Sequence, residues 1–380
     1  MSESVKEDIK SWLRQLHDKN GSDLFVTVGA PPCVKVHGKI KPLTREALTH
    51  ERVVKIIDAI MTENQRQEFR DTKECQFAVS LEGVARYRVS AFYQRNSVGM
   101  VCRRIETKIP SFEDLDLPES LSELAMVKRG IVVLVGATGT GKSTTLAAMV
   151  GYRNCNASGH IISIEDPIEF VHKHRKSLVT QREVGIDTQS FEAALKNTLR
   201  QAPDVIMIGE IRTRESMEQA ITFAETGHLC LTTLHANNAN QAMDRILHFF
   251  PEDRHPQVLL DLSFNLKAVI AQQLVPSIDG GRRHVALEIL INTPLVQEKI
   301  RKGKIEELKH IMKDSTHHGM VTFDQSLLAL YQSGQIAYEE ALRHADSAND
   351  VRLAVKLSEG ASSESLSGKL GDLDLIDNNR

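Results

Sequence analysis

Residues 131–143 read IVVLV followed by GATGTGKS, and no other segment of the chain restricts its possible folds as much. The five apolar residues Ile131 to Val135 suit a strand buried on both faces, as in a parallel sheet. The stretch Thr144–Val150 is rich in helix formers. Between them the pattern G-x-x-x-x-G-K-[S/T] is complete. Gly136, Gly139 and Gly141 let the backbone curl so that successive N–H groups point inward at phosphate oxygens. The N-terminus of the following helix adds its partial positive charge. Gly136, Ala137, Thr138, Gly139, Thr140, Gly141, Lys142, Ser143 and Thr144 are therefore candidate nucleotide contacts. Lys142 would reach the β- and γ-phosphates, and the Ser143 hydroxyl would coordinate Mg2+.

Three further elements suit that loop. Val205–Ile208 is an apolar run with Glu210 just beyond it. Beside a phosphate loop, a second strand of this kind delivers an acid to the magnesium; otherwise Glu210 is an acid facing solvent at a strand end. Ile161–Ile164 leads into EDPIE, which concentrates Glu165, Asp166 and Glu169 in five residues. Hydrolysis of a nucleoside triphosphate needs a group that orients and deprotonates water, and Pro167 forces a turn that would aim a carboxylate. The plainer reading is a charged loop at a sheet edge. His228 precedes and His235 follows the apolar run Leu229–Leu231. A histidine near a γ-phosphate would sense its presence, whereas residue type alone favours ordinary core or surface histidines.

At 380 residues the chain exceeds one domain of about 150 residues, and its pattern changes along its length. Ser4 and Glu7 have the spacing of a capping box, and Val5, Ile9, Trp12, Leu13 and Leu16 share one helical face. Strands are expected at Leu24–Val28, Cys33–Val36, 74–81, 84–93 and 98–105, with helix over 49–70 broken near Met61 and Thr62. That describes a small α+β domain with an antiparallel sheet. Residues 106–120 carry two prolines and a charge run, as a linker would. Alternating strand and helix then indicate an α/β parallel sheet. After about residue 250 the chain reads as mostly helical, with one further strand near Val285–Ile291.

Composition narrows the function classes. A net charge of −3 and 5% aromatic content supply no basic groove with stacking platforms, so no nucleic-acid partner is expected. No run reaches the ~18 apolar residues of a membrane helix, and the charged start lacks a signal-peptide core. The expectation is a cytoplasmic chain without direct membrane insertion. The scattered Cys33, Cys75, Cys102, Cys155 and Cys230 form no paired motif, which argues for reduced thiols and against structural zinc.

The order and spacing of GATGTGKS, IEDPIE, VIMIGE and AETGHL…TTLHA resemble the secretion ATPases of the type II/type IV pilus class. The likeness is to the PilT/PilU family of type IV pilus retraction ATPases, because the N-terminal domain is short and the paired-cysteine element of assembly motors is missing. It covers roughly residues 5–357. The resemblance implies a PAS-like N-terminal domain over 1–105, a linker over 106–120, a RecA-like ATPase core over 121–292, a helical region over 293–358 and a mobile tail over 359–380. It implies ATP and Mg2+ as ligands, and a homohexamer binding nucleotide between its domains. By the same likeness Lys142 and Ser143 lie in the phosphate loop, Glu210 at the second acidic position and Glu169 at the catalytic glutamate. Glu165 and Asp166 match the first acids of that box, so Ser143, Glu210 and Glu165 form the implied metal set. His228 and His235 match the histidine box. Arg86, Arg88 and Arg103 match arginines that reach the nucleotide from the N-terminal domain, a role that suits a guanidinium fork. On their own they read equally as arginines lining a solvated sheet face.

Two departures resemble the accessory, PilU-type branch of the family. Residues 295–304, LVQEKIRKGK, do not match the AIRNLIRE stretch of the principal motor, and the chain continues past DSANDVRL into a longer tail. The implied partners are a PilT-like retraction ATPase and an inner-membrane pilus platform protein, with the chain peripheral at the membrane base. Two alternatives share the motifs: a pilus assembly or type II secretion ATPase, and a largely regulatory ATP-binding partner of PilT.

Overall fold

The computed structural model describes residues 2–105 and 108–367. Two compact units divide the chain: Met1–Ile109 with His160–Ala202, and Pro110–Gly159 with the chain from Pro203 onward.

The first unit opens with a helix over Ser2–Asp18. Val5, Ile9, Trp12, Leu13 and Leu16 are all buried, as their spacing along one face requires. Ser4 does not cap it, because the helix is already under way from Ser2; Glu7 instead pairs with Lys10 at 2.9 Å. A capping box does form at Thr62 and Gln65, where the chain restarts as Glu63–Thr72 after the helix His50–Ile60. Strands β1 (Asp23–Thr27), β2 (Cys33–Val36), β3 (Lys39–Pro42), β4 (Glu74–Leu81), β5 (Ala85–Gln94) and β6 (Ser97–Ile105) make an antiparallel sheet of order β3-β2-β1-β6-β5-β4. Along β5, Tyr87, Val89 and Ala91 are buried, while Arg86, Arg88 and Ser90 turn to the other face. The Tyr87 hydroxyl donates to the Leu13 carbonyl at 2.8 Å and ties the sheet to the first helix.

The strands that follow are β7 (Gly130–Val135), β8 (Gly159–Glu165), β9 (Ser177–Glu183), β10 (Val205–Ile208), β11 (Leu229–Leu234), β12 (Leu266–Pro276) and β13 (Arg283–Ile291). The second sheet has the order β13-β12-β7-β11-β10-β8-β9. β12, β7, β11 and β10 run parallel, and β13 closes the edge antiparallel to β12. Every residue of β7, β10 and β11 is buried, which explains the apolar runs Ile131–Val135, Val205–Ile208 and Leu229–Leu231 within them. The strand β12 corrects the expectation of a mostly helical chain after 250. Its sequence LKAVIAQQLVP follows the apolar helix His255–Asn265 without a glycine or proline between them, so no punctuation marks the change. β3 and β9 are likewise strands that the pattern did not single out.

The C-terminal part is helical: Pro294–Arg301, Leu308–Asp314, Phe323–Gln332, Tyr338–His344 and Ala348–Ser367. Most of the tail expected over 359–380 lies outside the described residues, and its first part continues the last helix to Ser367. Among the described residues no helix is long and apolar enough to cross a membrane.

Candidate active site

In the second unit the chain leaves β7 at Val135, passes through the phosphate loop and enters the helix Lys142–Asn156. Gly136, Gly139 and Gly141 have φ of 154°, 83° and 87°. A Cβ on Gly136 would stand 2.5 Å from Thr140 Oγ1 and 2.6 Å from the Gln272 carbonyl oxygen, so the loop closes against β12 at that point. Lys142 folds back over the loop, its Nζ donating to the carbonyls of Gly136 at 2.7 Å and Ala137 at 2.9 Å. Burial lowers its pKa, and the charge of Glu210 opposes that shift. Gln272, on the unexpected strand, is 1% exposed. Its Nε2 donates to the Thr140 carbonyl at 2.8 Å, and its Oε1 accepts from the Thr145 hydroxyl at 2.8 Å.

Parallel strands bring the other groups to the same edge. β10 ends beside β11, and Glu210 follows it, held by Arg212 Nε at 2.9 Å and by His235 Nε2 at 3.1 Å. Thr233 fixes this turn from β11: its Oγ1 donates to the Gly209 carbonyl at 2.6 Å, and its carbonyl accepts from Ile211 N–H at 2.9 Å. His228 is not brought there. It stands at the opposite end of β11, its carbonyl accepting from Gly130 N–H at 3.0 Å, at the start of β7 rather than at its loop end. A strand of six residues separates the two histidines by about 20 Å. Of the two histidines, His235 therefore stands at the loop end of β11 and His228 at the other.

The first unit holds the acidic segment and the arginines. Glu165 ends β8 and is 7% exposed. Its Oε1 accepts from the Ser163 hydroxyl at 2.7 Å and from Gln181 Nε2 at 3.0 Å. Burial pushes its carboxyl up to about 7, against those hydrogen bonds and one from the Glu169 backbone. These bonds turn the Glu165 carboxylate inward, at the start of the turn that carries the exposed Asp166 and Glu169. Glu183 helps from below, accepting from Ile168 N–H at 3.4 Å. Burial raises its pKa, and the charges of Arg86 and Arg88 pull it back. Arg88 lies opposite Arg103 in register, and Arg103 lies opposite Asp23. Arg86, Arg88 and Arg103 therefore share one sheet face, with Arg103 Nε donating to Asp23 Oδ1 at 2.8 Å.

The donor set fits a triphosphate and magnesium. The glycine loop offers backbone N–H groups and a lysine; Ser143 is exposed on the first helical turn, and the Glu210 carboxylate is 17% exposed. Among the described residues no three His, Cys, Asp or Glu side chains converge as a metal cage. Magnesium bound through one or two protein oxygens plus phosphates and water requires none.

A model of the type II/IV secretion system protein family matches residues 2–348, and the chain belongs to that family, within its PilT/PilU-type ATPases. It is 60% identical over 368 residues to the type IV pilus ATPase PilU of Pseudomonas aeruginosa, covering 97% of this chain and 96% of that protein. It is 41% identical over 334 residues to the type IV pilus retraction ATPase PilT of the same organism, covering 88% and 97%. The crystal structure of the pilus retraction motor PilT with bound ADP matches with a TM-score of 0.83 at 41% identity, over 89% of this chain and 97% of that one.

Proposed function

We propose that this chain hydrolyses ATP to power type IV pilus retraction, as the accessory partner of a PilT-type ATPase. The near full-length match to PilU carries the reading, at 60% identity against 41% for PilT. The phosphate loop cradles the triphosphate, with Lys142 on its outer phosphates. Ser143 and Glu210 would hold Mg2+, which when bound would offset negative charge on the phosphates. Glu169 orients and deprotonates the attacking water. His235, already bonded to Glu210, registers the γ-phosphate. Arg86, Arg88 and Arg103 supply positive charge to the nucleotide.

The accompanying architecture is a PAS-like domain over 1–105, a RecA-like core over 121–292 and a helical region over 293–358, assembled as a homohexamer. Such a ring would act at the cytoplasmic face of the inner membrane through a platform protein, with nucleotide biasing a two-state element in each subunit.

The test is steady-state ATPase activity of the purified chain beside Lys142→Ala and Glu169→Gln. Magnesium-dependent turnover is expected in the wild type and in neither variant. Glu169→Gln should still bind ATP, and its rate should fall by about 100-fold or more. A wild type that binds ATP without turnover, and gains none with PilT added, would turn the reading into that of a regulatory nucleotide-binding subunit.

A further inference from the structure

Glu169 lies on the segment that joins β8 to β9, and both of its chain neighbours are held by side chains of β9. Ile168 N–H donates to Glu183 Oε2 at 3.4 Å, and the Phe170 carbonyl accepts from Gln181 Nε2 at 2.9 Å. Gln181 and Glu183 are two residues apart on one strand, so their side chains share a face. A bond of 3.4 Å is near the limit of a hydrogen bond, so the glutamine carries the larger part of the hold.

The Gln181 amide also reaches both flanks of the segment. Its Nε2 donates to Glu165 Oε1 at 3.0 Å, and its Oε1 accepts from His172 N–H at 2.7 Å. Both amide hydrogens and the amide oxygen are thus in use. Phe170 offers a carbonyl and His172 an N–H, so the amide fits only one way round. The start of the turn is tied to β9 through the backbone as well, where Val184 N–H donates to the Glu165 carbonyl at 2.8 Å. Ile168 and His172 are buried, whereas Glu169 is exposed. The segment is therefore pinned before and after one exposed carboxylate.

We propose that Gln181 is a positioning residue for ATP hydrolysis: by clamping Glu165, Phe170 and His172 with one amide, it fixes the peptide that carries Glu169 and hence the place where that carboxylate meets water. The inference rests on the reading of Glu169 as the base. An exposed glutamate on a loose segment samples many positions, and a misplacement of about 1 Å can cost about 100-fold in rate.

The experiment is steady-state and single-turnover ATP hydrolysis by the full chain, with Gln181→Met and Gln181→Glu each made in the wild type and in Glu169→Gln. Methionine keeps the length without a donor. Glutamate keeps the shape but sets an acceptor against the Phe170 carbonyl. In the wild-type background either change should lower kcat by about tenfold or more, with KM for ATP within about twofold, because residues 136–144 bind the phosphates. In Glu169→Gln, already slowed by about 100-fold, the same changes should alter the rate by less than about twofold, since the group they position is gone. Equal proportional losses in both backgrounds would mean that Gln181 supports the fold in general, and would overturn the proposal. So would a folded Gln181 variant with turnover within about twofold of the wild type. A Glu169→Gln chain as fast as the wild type would instead overturn the base assignment, and this inference with it. If one Gln181 variant does not fold, the other decides.

Discussion

Thr145 and Gln272 are joined by a buried side-chain hydrogen bond of 2.8 Å between the helix after the phosphate loop and the neighbouring strand. With its other end Gln272 donates to the Thr140 carbonyl at 2.8 Å. One amide therefore holds the loop from both sides, and the loop keeps its shape through its own protein contacts. A binding loop fixed in this way spends less of its binding energy on ordering.

Replacing Gln272 with Ala leaves the Thr145 hydroxyl buried without an acceptor and frees the Thr140 carbonyl. The expected loss is about 2 kcal/mol of stability. Thermal melting should fall by roughly 5 °C. ATP affinity should weaken by about tenfold, because the loop must now be ordered by its ligand. Calorimetric titration with ATP checks the second part; unchanged melting and affinity would show that Gln272 holds nothing.

The sequence exposes groups whose relation is local and hides those made by the sheet. The phosphate loop follows its strand directly, so Gly136 to Ser143 can be read from spacing alone, and Glu210 stands out because it ends an unbroken apolar run. Gln272 acts on Thr140 from 132 residues away, on a strand that looks like the end of a helix. Gln181 reads as an ordinary polar position until its bonds to Phe170 and His172 place it across the turn that carries Glu169. The histidine motif shows order along the chain but not that a six-residue strand carries His228 and His235 to opposite edges. Glu165 illustrates the remaining difficulty. An acid at a strand end looks like a ligand, and only burial beside Ser163 and Gln181 marks it as internal.

Burial of Glu165 makes stability depend on pH in a definite direction. Its carboxyl titrates at about 7 in the fold against 4.5 for the free group. Between those values the folded state holds the proton and the unfolded state has lost it, so stability falls as pH rises from about 4.5 to about 7 and then levels. The full effect is at most about 3 kcal/mol. Glu165→Gln removes this dependence, so the variant should gain on the wild type from pH 5 to pH 8 in urea midpoints. Parallel curves for the two proteins would contradict the assignment.

His172 carries the opposite sign. It is 7% exposed, its Nδ1 has no hydrogen-bond partner, and burial lowers its pKa from 6.5 to about 4. Between those values the unfolded chain binds the proton and the folded one does not, so stability is full above pH 6.5 and is lost as pH falls toward 4. His172→Phe keeps an apolar ring without the charge. Its urea midpoint should hold between pH 6.5 and pH 4.5 better than that of the wild type, by about 2 kcal/mol at the acid end.

Two glycines of the phosphate loop should respond differently to alanine, for reasons that can be separated. Both have positive φ, 154° at Gly136 and 83° at Gly139, so each substitution carries backbone strain of about 1–2 kcal/mol. Around Gly139 a Cβ meets nothing within 4 Å, and strain is the whole effect. At Gly136 the same Cβ meets Thr140 Oγ1 at 2.5 Å and the Gln272 backbone carbonyl at 2.6 Å. The threonine can rotate away, but the backbone carbonyl of a residue inside β12 cannot, so the loop itself must move. Gly139→Ala should therefore keep ATP binding with an affinity reduced by about tenfold or less, whereas Gly136→Ala should lose it while the purified chain remains folded. Titration calorimetry beside circular dichroism tells the two apart. Equal losses at both positions would mean that strain alone, and not the close approach of β12, sets the shape of the loop.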